Sequence, residues 1–218
     1  MALKVPTNSN NNSSLTQEPL EPATYNARLV QIIDLGLQPQ KAWQGKEKAP
    51  AYMINLTYEL CDEFMKDENG NDVEDKPRWI SEMVNLSPLS SEKAKSTMRY
   101  KAFDSDNLYN GDFSKCLGTP VTITIANNIK DGKVYNNISA VAKMRERDAN
   151  RCPPLVNDAI IFDLDDPDLK VFEKLPQFIR TRITSNLEYK GSKLEKLLSG
   201  VTEETNKAPE INSDDCPF

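Results

Sequence analysis

The clearest periodic stretch in the chain lies between residues 117 and 141. Val121, Ile123 and Ile125 alternate with Thr122 and Thr124, the period of two expected of a strand with one buried face. Residues 126–131 read as the turn region, and Asp131-Gly132 supplies residues that tolerate positive φ where the chain reverses. On the return strand, Val134 and Ile138 fall on one face, with Tyr135, Asn137 and Ser139 on the other. Tyr135, flanked by polar residues and close to Lys130 and Lys133, is a candidate platform for stacking a flat ligand. The plainer reading is a half-buried hairpin whose tyrosine fills space.

Upstream, the same reading predicts three more strands. Residues 25–35 are apolar on both faces near their middle. In residues 51–62, Tyr52, Ile54, Leu56, Tyr58 and Leu60 share one face and Met53, Asn55, Thr57 and Glu59 the other; the first set is the core side. In residues 78–86, Ile80, Val84 and Leu86 oppose Trp79, Ser81 and Met83. If the aliphatic side is core, Trp79 faces outward between Lys76 and Arg78. Between the first two strands, a loop at 36–50 carries Lys41, Trp43, Lys46 and Lys48, opened by Gly36 and closed by Pro50. Trp43 is either a loop anchor folded back on the core or a stacking residue.

The acidic loop at 67–72 resembles a calcium loop only superficially. Glycine is not at its sixth position, and Arg78 occupies the twelfth, where a bidentate glutamate belongs. A hairpin connection is the expectation. A helix follows at 91–103, capped by Ser90 or Ser91 and basic through Lys93, Lys95, Arg99 and Lys101. Residues 112–118 form a short helical turn.

The ends differ in character. Residues 1–24 contain an Asn/Ser tract and read as a disordered arm. Beyond Pro153-Pro154, segments 167–175, 176–186 and 193–198 read as short helices packing as an extension on the strands. Asp163, Asp165, Asp166 and Asp168 could form a carboxylate cluster, but Asp166-Pro167 reads as an N-cap and first helical position. Residues 199–218 are a polar, acidic, disordered tail ending in Asp214, Asp215, Cys216, Pro217 and Phe218. A terminal phenylalanine and its carboxylate suit a basic pocket on a partner.

Composition narrows the function. A hydrophobic fraction of 38% over 218 residues leaves room for one core with segments outside it. No apolar run reaches the roughly 20 residues of a membrane helix, and no signal peptide opens the chain, so a cytoplasmic protein is expected. There is no histidine, which removes Ser-His and Cys-His nucleophiles and the commonest general base. Cys61, Cys116, Cys152 and Cys216 are scattered; free thiols are expected, with no zinc site and no cofactor. The net charge of -6 argues against a nucleic-acid binder, but its distribution argues otherwise. Residues 76–103 carry six cations against two acids, and residues 119–151 carry six against three.

The residues reach a family at the two ends of this description. Acidic residues, then Pro and a terminal Phe, resemble the C-terminal tip of bacterial single-stranded DNA-binding proteins, which recruits replication and repair partners. Cys216 stands where a small aliphatic residue is usual. Residues 25–150 are similar to phage-encoded single-stranded DNA-binding proteins, through the Lys41-to-Lys48 loop, Lys76-Pro77-Arg78-Trp79-Ile80, the basic helix, and Leu117-Gly118-Thr119-Pro120-Val121 leading to Lys133-Val134-Tyr135. The resemblance implies a mainly β chain built on a five-stranded oligonucleotide-binding (OB-fold) barrel with a helix between strands three and four. It implies a non-enzymatic protein that holds single-stranded DNA regardless of sequence. Lys41, Lys46, Lys48, Arg78, Arg99, Lys101, Lys130 and Lys133 would line the phosphate path, with Trp79, Tyr135 and Trp43 stacking bases. The alternatives are a protein-docking or virion accessory module and, behind it, a metal-dependent nuclease using the aspartates at 163–168.

Overall fold

The structure is a computed structural model of the chain and describes residues 18–42 and 44–200. The chain is mainly β. Its elements in order are β1 (Thr24–Gln38), β2 (Ala51–Lys66), β3 (Asp72–Asn85), α1 (Lys95–Phe103), a 3-10 turn (Phe113–Cys116), β4 (Pro120–Lys130), β5 (Lys133–Lys143), α2 (Glu146–Ala149), β6 (Ile160–Phe162), α3 (Leu169–Lys174), α4 (Gln177–Thr184) and α5 (Lys193–Leu198). The sheet runs β3-β2-β1-β4-β5, with β6 added beside β1. The long strands pair antiparallel and β6 pairs parallel with β1. There are thus six strands where five were expected. The end strands β3 and β5 approach each other without pairing, so the sheet is open.

One core fills the concave side. Leu29, Leu56, Tyr58, Leu60, Ile123 and Ile125 are almost wholly buried there, and Tyr100 and Phe103 of α1 pack against them. At the open seam, Arg99 stands between the two end strands. Its Nε donates to Glu82 Oε1 of β3 at 2.7 Å and its Nη2 to the Ile138 carbonyl of β5 at 3.3 Å. Tyr58 Oη donates to the same Glu82 oxygen at 3.0 Å. Burial pushes the Glu82 carboxyl up, but the hydrogen bonds from Arg99 and Lys95 outweigh it and hold the group below the usual carboxylate range.

A second core forms on the convex side. Ile33 and Leu35 of β1, Phe162, Phe172, Leu175, Ile179, Ile183 and Leu194 bury one another, with Met53 and Met83 packed against them. The C-terminal extension therefore packs on the outer face of β1, β2 and β3. This explains why β2 is buried on both faces from Ile54 to Leu60, although its pattern alternates.

Several boundaries move. β1 runs through Gly36 instead of ending before it, because Gly36 takes φ +71 within a register shift between Asp34 and Leu37. A side chain there would place a Cβ 2.7 Å from Asn186 Cγ. The β4–β5 turn is only Asp131-Gly132 (φ +52 and +72), so residues 126–130 are strand rather than turn. Neither Ser90 nor Ser91 caps α1; the N-cap is Ala94, without a side-chain bond. Asp168, not Asp166, caps α3 by accepting from Lys170 N. The acidic loop is a hairpin connection, as expected, closed by Asp67 Oδ1 accepting from Asn69 N and Asn71 N.

The end of the arm expected to be disordered is pinned instead. Leu20 is 4% exposed in the concave core. Asn136 accepts from Leu20 N at 2.8 Å and donates to its carbonyl at 2.9 Å, and Arg78 Nη2 donates to Glu18 O. Residues 1–17, Trp43 and the acidic tip Asp214, Asp215, Cys216, Pro217 and Phe218 lie outside the described residues. Among the described residues, no helix is long and apolar enough to cross a membrane.

Candidate nucleic-acid interface

The β4–β5 hairpin outgrows the core. From Ala126 onward its side chains are exposed except for a partly covered Asn136 and the buried Ile138 and Val141. Lys130 pairs with Lys133 and Asn128 with Tyr135 across the ladder. Directly opposed residues share a face, and so do residues two apart on one strand. Lys130, Lys133, Asn128 and Tyr135 therefore stand on a single face. Tyr135 is 49% exposed, and among the described residues neither lysine has an ion pair. The opposite face carries Ile129, Val134, Asn127 and Asn136, the last two holding Leu20.

The cationic, aromatic face continues toward the base of the hairpin. Thr122 and Thr124 of β4 lie level with Asn26 and Thr24 of β1 and with Ala142 and Ala140 of β5. A register shift after Thr124 lets both Ile138 and Val141 turn inward while the outer side stays small and polar. At its foot the face opens into a cleft of about 560 Å³ lined by Asn26, Thr122, Lys143, Arg145, Arg151 and Cys152, among others. One carboxylate, Asp148, stands there and is held by Arg145 at 2.6 Å. Among the described residues, this surface is partly or fully exposed along its length. It can take an extended polyanion: cations at both ends, one exposed ring, and short side chains between them.

The expected site residues divide into three groups. Lys130, Lys133 and Tyr135 come together as described. Lys41, Lys46 and Lys48 are exposed in the β1–β2 loop, at the opposite end of β1 from the β4–β5 turn. Lys101 is exposed on α1 with Glu92 3.3 Å away. Arg78 and Arg99 are corrections. Arg99 is 3% exposed and committed to Glu82, and Arg78 is 9% exposed and reaches Glu18 O. Neither guanidinium can meet a phosphate: Arg78 points to the core side of β3, and Arg99 reaches from α1 into the buried seam.

Trp79 faces outward on β3, 36% exposed, but Arg78 beside it points the other way. Its indole N–H donates to Glu59 Oε2 at 3.1 Å. The same carboxylate accepts from Val156 N at 2.7 Å and Asn157 Nδ2 at 2.6 Å. The ring is therefore tied to a strap at 150–157 rather than free. Arg28 fixes that strap by donating to the Cys152 and Pro153 carbonyls at 2.9 and 2.6 Å.

The sequence reading counted Lys143, Arg145 and Arg151 as charge but did not place them in the site. The pairing of Asn26 with Thr122, and of Thr122 with Ala142, puts them at the foot of the exposed face; the signal available was the polar alternation of β4 itself. Two of the aspartates at 163–168 are spent on local structure, Asp163 accepting from Asp165 N and Asp168 from Lys170 N. Among the described residues, no group of three or more His, Cys, Asp or Glu is placed to hold a metal ion. No protein-family model matches the chain, and no curated protein matches it.

Proposed function

We propose that the chain is a non-enzymatic, sequence-independent single-stranded DNA-binding protein of the phage-encoded kind, with β1 to β5 forming an OB-fold barrel whose seam is bridged by Arg99. The strand order and the helix between β3 and β4 support that reading of the fold. The observation that carries the function is the single exposed face shared by Lys130, Lys133 and Tyr135.

DNA lies along the outer face of β4 and β5. Lys130 and Lys133 neutralise phosphates at the tip, and Lys143, Arg145 and Arg151 do so at the foot, releasing counterions. Tyr135 stacks a base, and the small Thr, Ala and Asn side chains let the sugar-phosphate chain approach the backbone. The eleven residues of β4 span roughly 35 Å, a length suited to a site within the roughly 4–16 nucleotides per OB-fold. Strands held open this way cannot reanneal. The acidic tip at Asp214, Asp215, Cys216, Pro217 and Phe218 recruits replication and repair proteins and competes with DNA for the same cations.

The test is anisotropy of labelled oligo-dT at two salt concentrations, with a duplex control. Tight binding that weakens log-linearly with salt and prefers the single strand is expected. Absence of salt-dependent binding overturns the reading. A protein-docking module is the second reading, favoured by Ile129 (72% exposed) opposite Val134 on the other face of the hairpin; it predicts no response to oligo-dT at low salt.

A further inference from the structure

Two cysteines 91 positions apart in the chain meet where the strap crosses β2. The Cys61 and Cys152 sulfurs lie 3.0 Å apart, about 1 Å more than a disulfide bond. Both residues are partly exposed and neither is bonded covalently. The surrounding structure holds them in register. Cys61 sits two residues beyond Glu59, which binds Val156 and Asn157, and Arg28 holds the Cys152 carbonyl. Cys61 borders a cavity of about 210 Å³ with Phe64, Pro77 and Pro154, while Cys152 lines the larger basic cleft. A small thiol reagent can therefore approach from either side.

We propose that Cys61 and Cys152 are a reversible modification site, a thiol pair that closes to an intramolecular disulfide when it meets a small-molecule disulfide such as oxidised glutathione. The Cys152 thiolate attacks one glutathione sulfur, forming a mixed disulfide and expelling one glutathione thiolate. The Cys61 thiolate then attacks the Cys152 sulfur and expels the second. The protein loses two protons and two electrons, and one glutathione disulfide becomes two glutathione molecules. Burial and the neighbouring Cys152 thiol push the Cys61 thiol up; it is the 3.0 Å contact between the two sulfurs that favours the second, intramolecular step.

The product staples the strap to β2. It fixes Arg151, beside Cys152, against the foot of the exposed face, and it closes a long loop of chain. Cys116 does not compete, because it is fully buried and burial pushes its thiol up to about 12.

The experiment uses the full chain, reduced and then exposed to oxidised glutathione, alkylated, and mapped without reduction. A Cys61–Cys152 peptide lacking two hydrogens is expected, with Tm raised on the order of 10 °C and restored by dithiothreitol. Cys61→Ser and Cys152→Ser should each abolish the linked peptide and the rise, while keeping the Tm of the reduced protein within a few degrees. Stable glutathione adducts on either cysteine, a link to Cys216 or to a second chain, or a linked protein with unchanged Tm would each overturn the proposal. None of these readouts depends on DNA binding.

Discussion

The two outer faces of the sheet have opposite fates. On β2 the outward side chains Asn55, Thr57 and Glu59 are almost wholly buried, with the strap and the C-terminal extension packed on that face, and on β3 beside it Trp79 is tied to the strap through Glu59. On β4 and β5 the outward side chains are exposed from Ala126 to the tip and partly exposed at Thr122 and Thr124. The hairpins themselves also differ in charge. Residues 61–76 at the distal end of β2 and β3 carry seven carboxylates against two lysines, whereas residues 126–137 carry Lys130 and Lys133 against Asp131. The first would repel a polyanion and its β2 side is covered, whereas the second offers both charge and access. Trp79 and Tyr135 belong to these two faces, so identical aromatic logic in the sequence has different value in the fold.

The largest test of this contrast removes what holds the two faces in register. Glu82→Ala leaves the buried Arg99 guanidinium without its partner between β3 and β5, and should cost about 3–5 kcal/mol in urea unfolding. Wild-type stability should fall in acid for the same reason. The folded carboxyl titrates below its unfolded value, so its contribution is present above the ordinary carboxylate pKa and disappears as pH drops through the folded one. A Glu82→Gln protein should show a shallower loss of stability below about pH 4.5. Equal acid slopes in the two proteins would remove Glu82 from the seam's account.

How much of this was legible in sequence depends on whether a face was buried. Val121, Ile123 and Ile125 advertise β4 because each meets the core. Residues 126–130 do not, because a strand that leaves the core has no apolar side to alternate, and Asn127-Asn128 looks like a turn. β6 is three residues long, too short to show a period, and exists because Ile160 to Phe162 add to an edge left open on β1. Arg99 looked like one cation among several on a basic helix; only its pairing with Glu82, seventeen residues away, reveals an interior ion pair. Trp79 was correctly placed outward, but no local pattern announces that a strap from position 156 shares its carboxylate partner.

Next in size, Lys130→Glu with Lys133→Glu should weaken oligo-dT binding roughly 100-fold at low salt and reduce the slope of log affinity against log salt by about 1.4. Reversing Lys46 and Lys48 in the same way tests the other end of β1 and should do less. A larger effect there would relocate the path. Tyr135→Ala should cost on the order of 1–3 kcal/mol, with the slope unchanged, because stacking carries no counterions. Trp79→Phe keeps a ring but loses the bond to Glu59; it should leave DNA affinity within about twofold, and a loss matching Tyr135→Ala would make β3 part of the interface.

The smallest expected effect addresses the acidic hairpin. Glu68→Gln with Asp72→Asn removes two exposed charges without touching Asp67, whose carboxylate closes the turn by accepting from Asn69 and Asn71. The loop keeps its shape, so any change in DNA binding comes from the field alone. If the carboxylates only repel the strand from a distance, association should quicken by a few-fold at low ionic strength, and dissociation should stay constant. The difference should vanish near physiological salt, where the Debye length is about 8 Å. A change in the off-rate instead would mean that DNA touches the β2–β3 hairpin, and the two faces would then differ in degree rather than in kind.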